Sequence, residues 1–215
     1  MPDVKHFDPE AALDAVVRLF WRRGVATTGI QDVVDATGLN RSSLYATFGG
    51  KRELYRAALE RYVRERSNLA PLEQDDRGLP AITDFFHGLV DARCTGEHAG
   101  WGCMISNAHA GAENDDPQVR AVLDRQHERL HNALLNALRT ARRHGQLGPD
   151  TAGTDTAGSN TADPGATDPG TADLDAAASV LALLAHAVNL RSRAGADARQ
   201  LRDTVDAAIA MIARR

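Results

Sequence analysis

Apolar residues recur at intervals of three and four along almost the whole chain, and no stretch alternates with a period of two for long enough to make a convincing strand. The predicted fold class is therefore all-α, about nine helices. The starts and stops are written in the same residues. Asp8-Pro9-Glu10 places an N-cap before a proline at the first helical position, Leu13, Val16, Val17 and Phe20 mark one face, and Gly24 ends the helix. A second short helix is expected from about Ile30 to Thr37, with Ile30, Val33 and Val34 inward. After Gly38, Asn40 caps a third from Arg41 to about Phe48, held down by Leu44 and Phe48. Gly49-Gly50 breaks it, and a fourth begins near Lys51 with Leu54, Ala58 and Tyr62 on one side.

Beyond residue 67 the helices lengthen and are expected at about 80–94, 102–110, 117–145, 173–192 and 197–214. The 117–145 helix again opens with a cap and a proline, Asp116-Pro117, and carries Val119, Val122, Leu123, Leu130, Leu134 and Leu138 on one stripe. The last two are rich in alanine and leucine (Ala177, Leu181, Leu184, Val188; Leu201, Val205, Ala208, Ile212), a composition that packs closely against a neighbour or a second subunit. Residues 148–173 contain five aspartates and no basic residue among Gly, Pro, Ala, Thr, Ser and Asn, and read as a flexible low-complexity loop.

Charge is distributed unevenly. Residues 1–67 carry a balance of +2 and the remaining 148 a balance of −6. Seven bases (Arg41, Lys51, Arg52, Arg56, Arg61, Arg64, Arg66) fall within 40–67, so a basic surface near the N-terminus is expected on an acidic body. Two short helices joined by a four-residue turn are helix-turn-helix geometry, the motif spanning about 29–48. The second would lie in the major groove of double-stranded DNA. Arg41, Ser42, Ser43 and Tyr45 would face bases and phosphates, Thr27 and Thr28 would donate to phosphates through hydroxyl and amide, and Lys51 would add a charge at a helix N-terminus.

The run TTGIQDVVDATGLNRSSLYATFGGKRELYRAAL, Thr27 to Leu59, resembles the N-terminal domain of the TetR family of bacterial transcriptional regulators, with Leu44, Tyr45, Phe48, Lys51 and Leu54 in the family's register. Ala46, where many members carry a larger aromatic or His, and Gly50, where Ser or Asn often caps the next helix, depart from the pattern. The resemblance implies a DNA-binding domain over 1–67 and an effector-binding and dimerisation domain over 68–215. It implies a homodimer built on the last two helices, a near-palindromic operator, and a repressor released by a small-molecule effector.

In the larger domain only Phe85, Phe86 and Trp101 are aromatic. With Cys103, Met104 and Asn107, which fall in a Gly-Cys-apolar-apolar-x-Asn stretch seen in some members, they are the candidate effector-pocket residues. Cys94 and Cys103 raise an alternative in which the repressor senses redox state through its thiols. A transcriptional activator of the same family is another. His127 and His131 share a helical face, with His109 and His186 as possible companions, but two histidines alone do not specify a metal, and no metal or cofactor is expected. No glycine-rich phosphate loop, nucleophile elbow or paired carboxylates point to an enzyme. With no export signal, and with the run 176–190 too short to span a bilayer, the chain is expected in the cytoplasm and not in a membrane.

Overall fold

A computed structural model describes residues 7–148 and 169–214. Among these residues the fold is all-α: α1 Pro9–Arg23, α2 Ile30–Thr37, α3 Arg41–Phe48, α4 Lys51–Arg66, α5 Ala70–Gln74, α6 Leu79–Cys94, α7 Met104–His109, α8 Pro117–Arg143, α9 Pro169–Arg193 and α10 Ala198–Ala213. A single 3-10 turn, Ala112–Asp115, precedes α8. The expected loop at 148–173 lies, over 149–168, outside the described residues.

The chain forms two compact units. One comprises Met1–Asn68 with Trp101–Gln126, the other Leu69–Gly100 with His127–Arg215. The first thus draws in α7, the 3-10 turn and the start of α8 as well as the four N-terminal helices. Its core is the predicted one: Leu13, Val16, Val17 and Phe20 of α1 meet Val33, Leu44, Leu54, Ala58 and Tyr62, and Met104, Val119, Val122 and Leu123 complete it. The caps form as the residue types dictate. Asp8 accepts the Glu10 N–H at 2.9 Å, and Asp116 accepts that of Gln118 at 2.8 Å.

Arg61 does not join the expected basic surface. It is buried to 8% exposure, and its guanidinium ties α1 to its own helix: Nε donates to Asp14 at 2.7 Å and lies 3.3 Å from Glu65, and Nη1 pairs with Glu10. These carboxylates, Asp14 foremost, favour its charged form and push its already high pKa further up.

In the second unit Ile82, Phe86 and Val90 of α6 pack with Leu134 and Leu138 of α8, Leu181, Ala185 and Val188 of α9, and Leu201, Val205 and Ile209 of α10. Polar ties brace this core. Arg129 makes a two-pronged pair with Glu73 at 2.6 and 2.7 Å, which holds the Glu73 carboxyl below its ordinary range. Arg93 Nε donates to Asn189 at 2.6 Å. The five-residue α5 has too few positions to show a period and was not expected. The expected helix over 173–192 forms within α9, and its segment Asp173–Arg193, 21 residues, is long and apolar enough to cross a membrane by composition alone. One side of it, with Leu181, Ala182 and Ala185, lies in this unit's core.

Candidate nucleic-acid interface

The turn after α1 is built from short-range bonds. Thr27 Oγ1 donates to Arg23 O at 2.6 Å, and Thr28 Oγ1 to Gly24 O at 2.7 Å. Thr27 is exposed, but Thr28 is 1% exposed and its N–H is directed to Val25 O. Both Thr28 donors therefore serve the turn, which corrects the expectation that they reach phosphate. The start of α2 carries a feature that sequence reasoning missed. Asp32, three residues after the N-cap Gly29, accepts the Gly29 N–H at 2.7 Å and the Arg23 guanidinium at 2.7 Å. The Gly29 amide first, and Arg23 second, hold the Asp32 carboxyl below its ordinary value. The Gly-x-x-Asp spacing was the available signal.

Between α2 and α3, whose bounds are those expected, lie three residues, Gly38, Leu39 and Asn40, one fewer than the four of the expected turn. Gly38 sits in the left-handed region at φ 69°, with its N–H on Val34 O at 2.8 Å. Asn40 then accepts the Ser43 N–H at 2.8 Å and starts α3. At 100° per residue, Leu44 (1% exposed) and Phe48 anchor one side of α3. Arg41, Tyr45, Ser42 and Ala46 follow one another round the opposite arc, and all four are exposed, Tyr45 to 43%. Ser43 is at the border, half-buried, its amide engaged by the cap.

Next in the chain, α4 opens at Lys51 without a side-chain cap on Gly50, leaving first-turn N–H groups with no partner inside the helix. Arranged in this way, α3 offers a guanidinium, a phenol and a hydroxyl that can face base edges, and α4 offers amides and an ammonium suited to phosphate. Lys51 and Arg52 also border a cleft of about 410 Å3 whose other walls include Val25, Tyr55, Glu113 and Pro117. Burial, and then the charge of Glu113, push the Tyr55 hydroxyl above its ordinary pKa.

The six candidate effector residues are divided between the two units. Phe85 and Phe86 form an edge-to-face pair at 5.3 Å within the second unit, with Phe86 fully buried. Trp101, Cys103, Met104 and Asn107 belong to the first unit: Cys103 and Met104 are core residues, and Trp101 meets Trp21 edge-on at 5.2 Å. Asn107 donates to Trp101 O at 3.0 Å. None of the six borders the 410 Å3 cleft, nor a smaller cavity of about 130 Å3 edged by Leu184, Arg191, Leu201 and Thr204. Apolar spacing finds such residues because they are core, and core positions look alike whichever unit they enter.

The cysteines fall in different units, and burial, then Asp197 and Asp91, push the Cys94 thiol up and reduce its thiolate fraction. His127 stacks on His186 at 5.7 Å, and His131 faces Asp175. Among the described residues no three His, Cys, Asp or Glu side chains gather as metal ligands.

Residues 12–58 match the family model described as "Bacterial regulatory proteins, tetR family". Over 149 residues the chain is 31% identical to the HTH-type transcriptional repressor ComR of Escherichia coli (strain K12), an alignment covering 67% of this chain and 70% of that protein. The chain belongs to the tetR family of bacterial regulatory proteins. Like other members of the tetR family it is a DNA-binding transcriptional regulator and not an enzyme, and its partner is double-stranded DNA. It is also 32% identical over 151 residues to the uncharacterized HTH-type transcriptional regulator YezE of Bacillus subtilis (strain 168), covering 68% of this chain and 77% of that one. The fold is shared with a cysteine mutant of the TetR family transcriptional regulator CifR solved with 26-bp double-strand operator DNA. That likeness has a TM-score of 0.73 and 21% identity, and covers 96% of this chain and 98% of the other.

Proposed function

We propose that the protein is a homodimeric cytoplasmic repressor that leaves its operator when a small-molecule effector binds. DNA reading is assigned to residues 1–67, and effector binding and dimerisation to 68–215. The observation that carries the reading is the polar arc of α3: Arg41, Ser42 and Tyr45 exposed on a helix pinned by Leu44, directly before the uncapped start of α4 at Lys51. Arg41, Ser42, Ser43 and Tyr45 then face the major groove, and Thr27 and Lys51 contact phosphate, while Thr28 holds the turn behind them.

The dimer is supported by Val180, Leu183, Ala187 and Leu190, an exposed apolar stripe along α9, with Met211 exposed on α10. Two copies related by a twofold axis read a near-palindromic operator, their heads 34–36 Å apart or a multiple of it, about one DNA turn per step. Two relatives, ComR and BdcR of Escherichia coli (strain K12), are HTH-type transcriptional repressors, which supports repression here. Phe85, Trp101 and Asn107, which keep partial exposure, are the candidate residues still open to an effector.

Selection of bound duplexes from a random-sequence library tests the reading. An inverted repeat with half-sites one helical turn or a multiple apart is expected. Enrichment of a single asymmetric site, or of none, would refute the dimeric reader.

A further inference from the structure

The C-terminal end of α1 and the turn behind it are gripped by a segment some eighty residues away in sequence. The Trp21 indole N–H donates to Gly102 O at 3.0 Å, Arg22 lies over the Trp101 ring at 5.8 Å, and the Val25 N–H donates to Glu113 Oε1 at 3.3 Å. Val25 is the point of leverage. Its carbonyl accepts the Thr28 N–H, and the residues that follow are Gly29 and the Asp32 box that begins α2. Val25 is thus held directly by the Glu113 carboxylate and Thr28 through one further bond, immediately before Gly29 and α2, the helix that precedes α3.

The surroundings of Glu113 fit this use. Its carboxylate lies across Gly111, where an added Cβ would fall 1.9 Å from Oε2, so a side chain there would push the carboxylate aside. It borders the same cleft as Lys51, so its negative charge works against phosphate binding at α4.

We infer that Glu113 is a positioning residue for DNA reading: by holding the Val25 amide it sets the turn from which α2 and α3 are hung. The inference rests on α3 as the reading helix, and two consequences of Glu113 separate its role from plain stabilisation. Glu113→Gln keeps an acceptor for Val25 and removes the charge, whereas Glu113→Ala removes both. Gly111→Ala keeps the charge and displaces the acceptor.

The test measures affinity for a duplex selected by the wild-type protein, well below each variant's unfolding transition, together with exchange of the Val25 amide by NMR. Glu113→Ala and Gly111→Ala should bind about 5- to 30-fold more weakly, the factor that one to two kcal/mol corresponds to, with Val25 exchange at least about tenfold faster. Glu113→Gln should bind as tightly as wild type or tighter, with its Val25 amide still protected. Wild-type affinity in Glu113→Ala, equal weakening in Glu113→Gln, or unchanged Val25 exchange would each overturn the inference. Tyr45→Ala, measured alongside, keeps the two claims apart: binding lost there but intact in Glu113→Ala removes the role of Glu113 and leaves the reading face standing.

Discussion

Replacing Arg61 with alanine removes the guanidinium that pairs α4 with the Asp14 and Glu10 carboxylates of α1, and the structure sets the size of the effect. Its side chain is 10% exposed, whereas Asp14, Glu65 and Glu10 are 41%, 42% and 69% exposed, so the donor is buried and its acceptors can rehydrate when it is gone. The Asp14 bond at 2.7 Å is charge-assisted and takes the low end of that class, about 1.5 kcal/mol. The Glu10 and Glu65 pairs, open to water, add about 0–1 kcal/mol together. Two buried methylenes of the stem, lost in alanine, add roughly 1 kcal/mol.

The sum is about 3 kcal/mol, which for a chain of this length lowers the unfolding midpoint by roughly 6–12 °C. Circular dichroism at 222 nm during heating reads it directly. Arg61→Lys, which keeps a charge but not the fork, should recover about half of the loss, and Arg61→Met should recover the stem contribution alone. An Arg61→Ala midpoint within about 2 °C of wild type would show a solvent-screened surface pair and refute the assignment. Full recovery in Arg61→Lys would refute the fork geometry.

Four further outcomes are expected. Gly78, at φ 78° with its hypothetical Cβ 2.8 Å from the Ala141 backbone, should not tolerate alanine: Gly78→Ala should cost about 2 kcal/mol or more in denaturant unfolding. Leu183→Asp places a charge on the exposed stripe of α9 and should halve the molar mass in light scattering without lowering helicity. Asp32 has its carboxyl held below the ordinary value of about 3.9 by the Gly29 amide and Arg23, so the stability it lends is present above that value and lost as pH falls below it. Asp32→Asn should therefore lower stability at neutral pH and flatten the acid limb, the variant and wild type converging as pH falls below about 4. Lys51→Ala should weaken binding by about 1–3 kcal/mol on every sequence and lower the salt slope by about one, as loss of a phosphate contact requires.

The helices were legible wherever a cap, a proline or a glycine coincided with a change in apolar spacing. Asp8-Pro9, Asn40 and Asp116-Pro117 all begin helices where their side chains accept the expected amides. Less legible were features that depend on what meets what. Arg61 reads as one base in a basic run, and only the approach of Asp14 and Glu10 from α1 buries it. Thr28 reads like Thr27, yet one turn of backbone places its hydroxyl inward on Gly24 O. Trp101, Cys103 and Met104 read as pocket surfaces because they are large or apolar, but they pack in the same unit as α1 and α4. Glu113 gives no signal at all, since its partner is a backbone amide 88 positions earlier.

The central claim is that the exposed arc of α3 reads DNA in a sequence-dependent way. Fluorescence anisotropy of the selected duplex and of a scrambled duplex, titrated with wild type and Tyr45→Ala at two salt concentrations, tests it most directly. Wild type should prefer the selected duplex by at least about a thousandfold, the usual gap between specific and non-specific binding. Tyr45→Ala should lose about 1–3 kcal/mol on that duplex and almost nothing on the scrambled one. Equal loss on both duplexes, or none on either, would contradict the account and move the reading face away from α3.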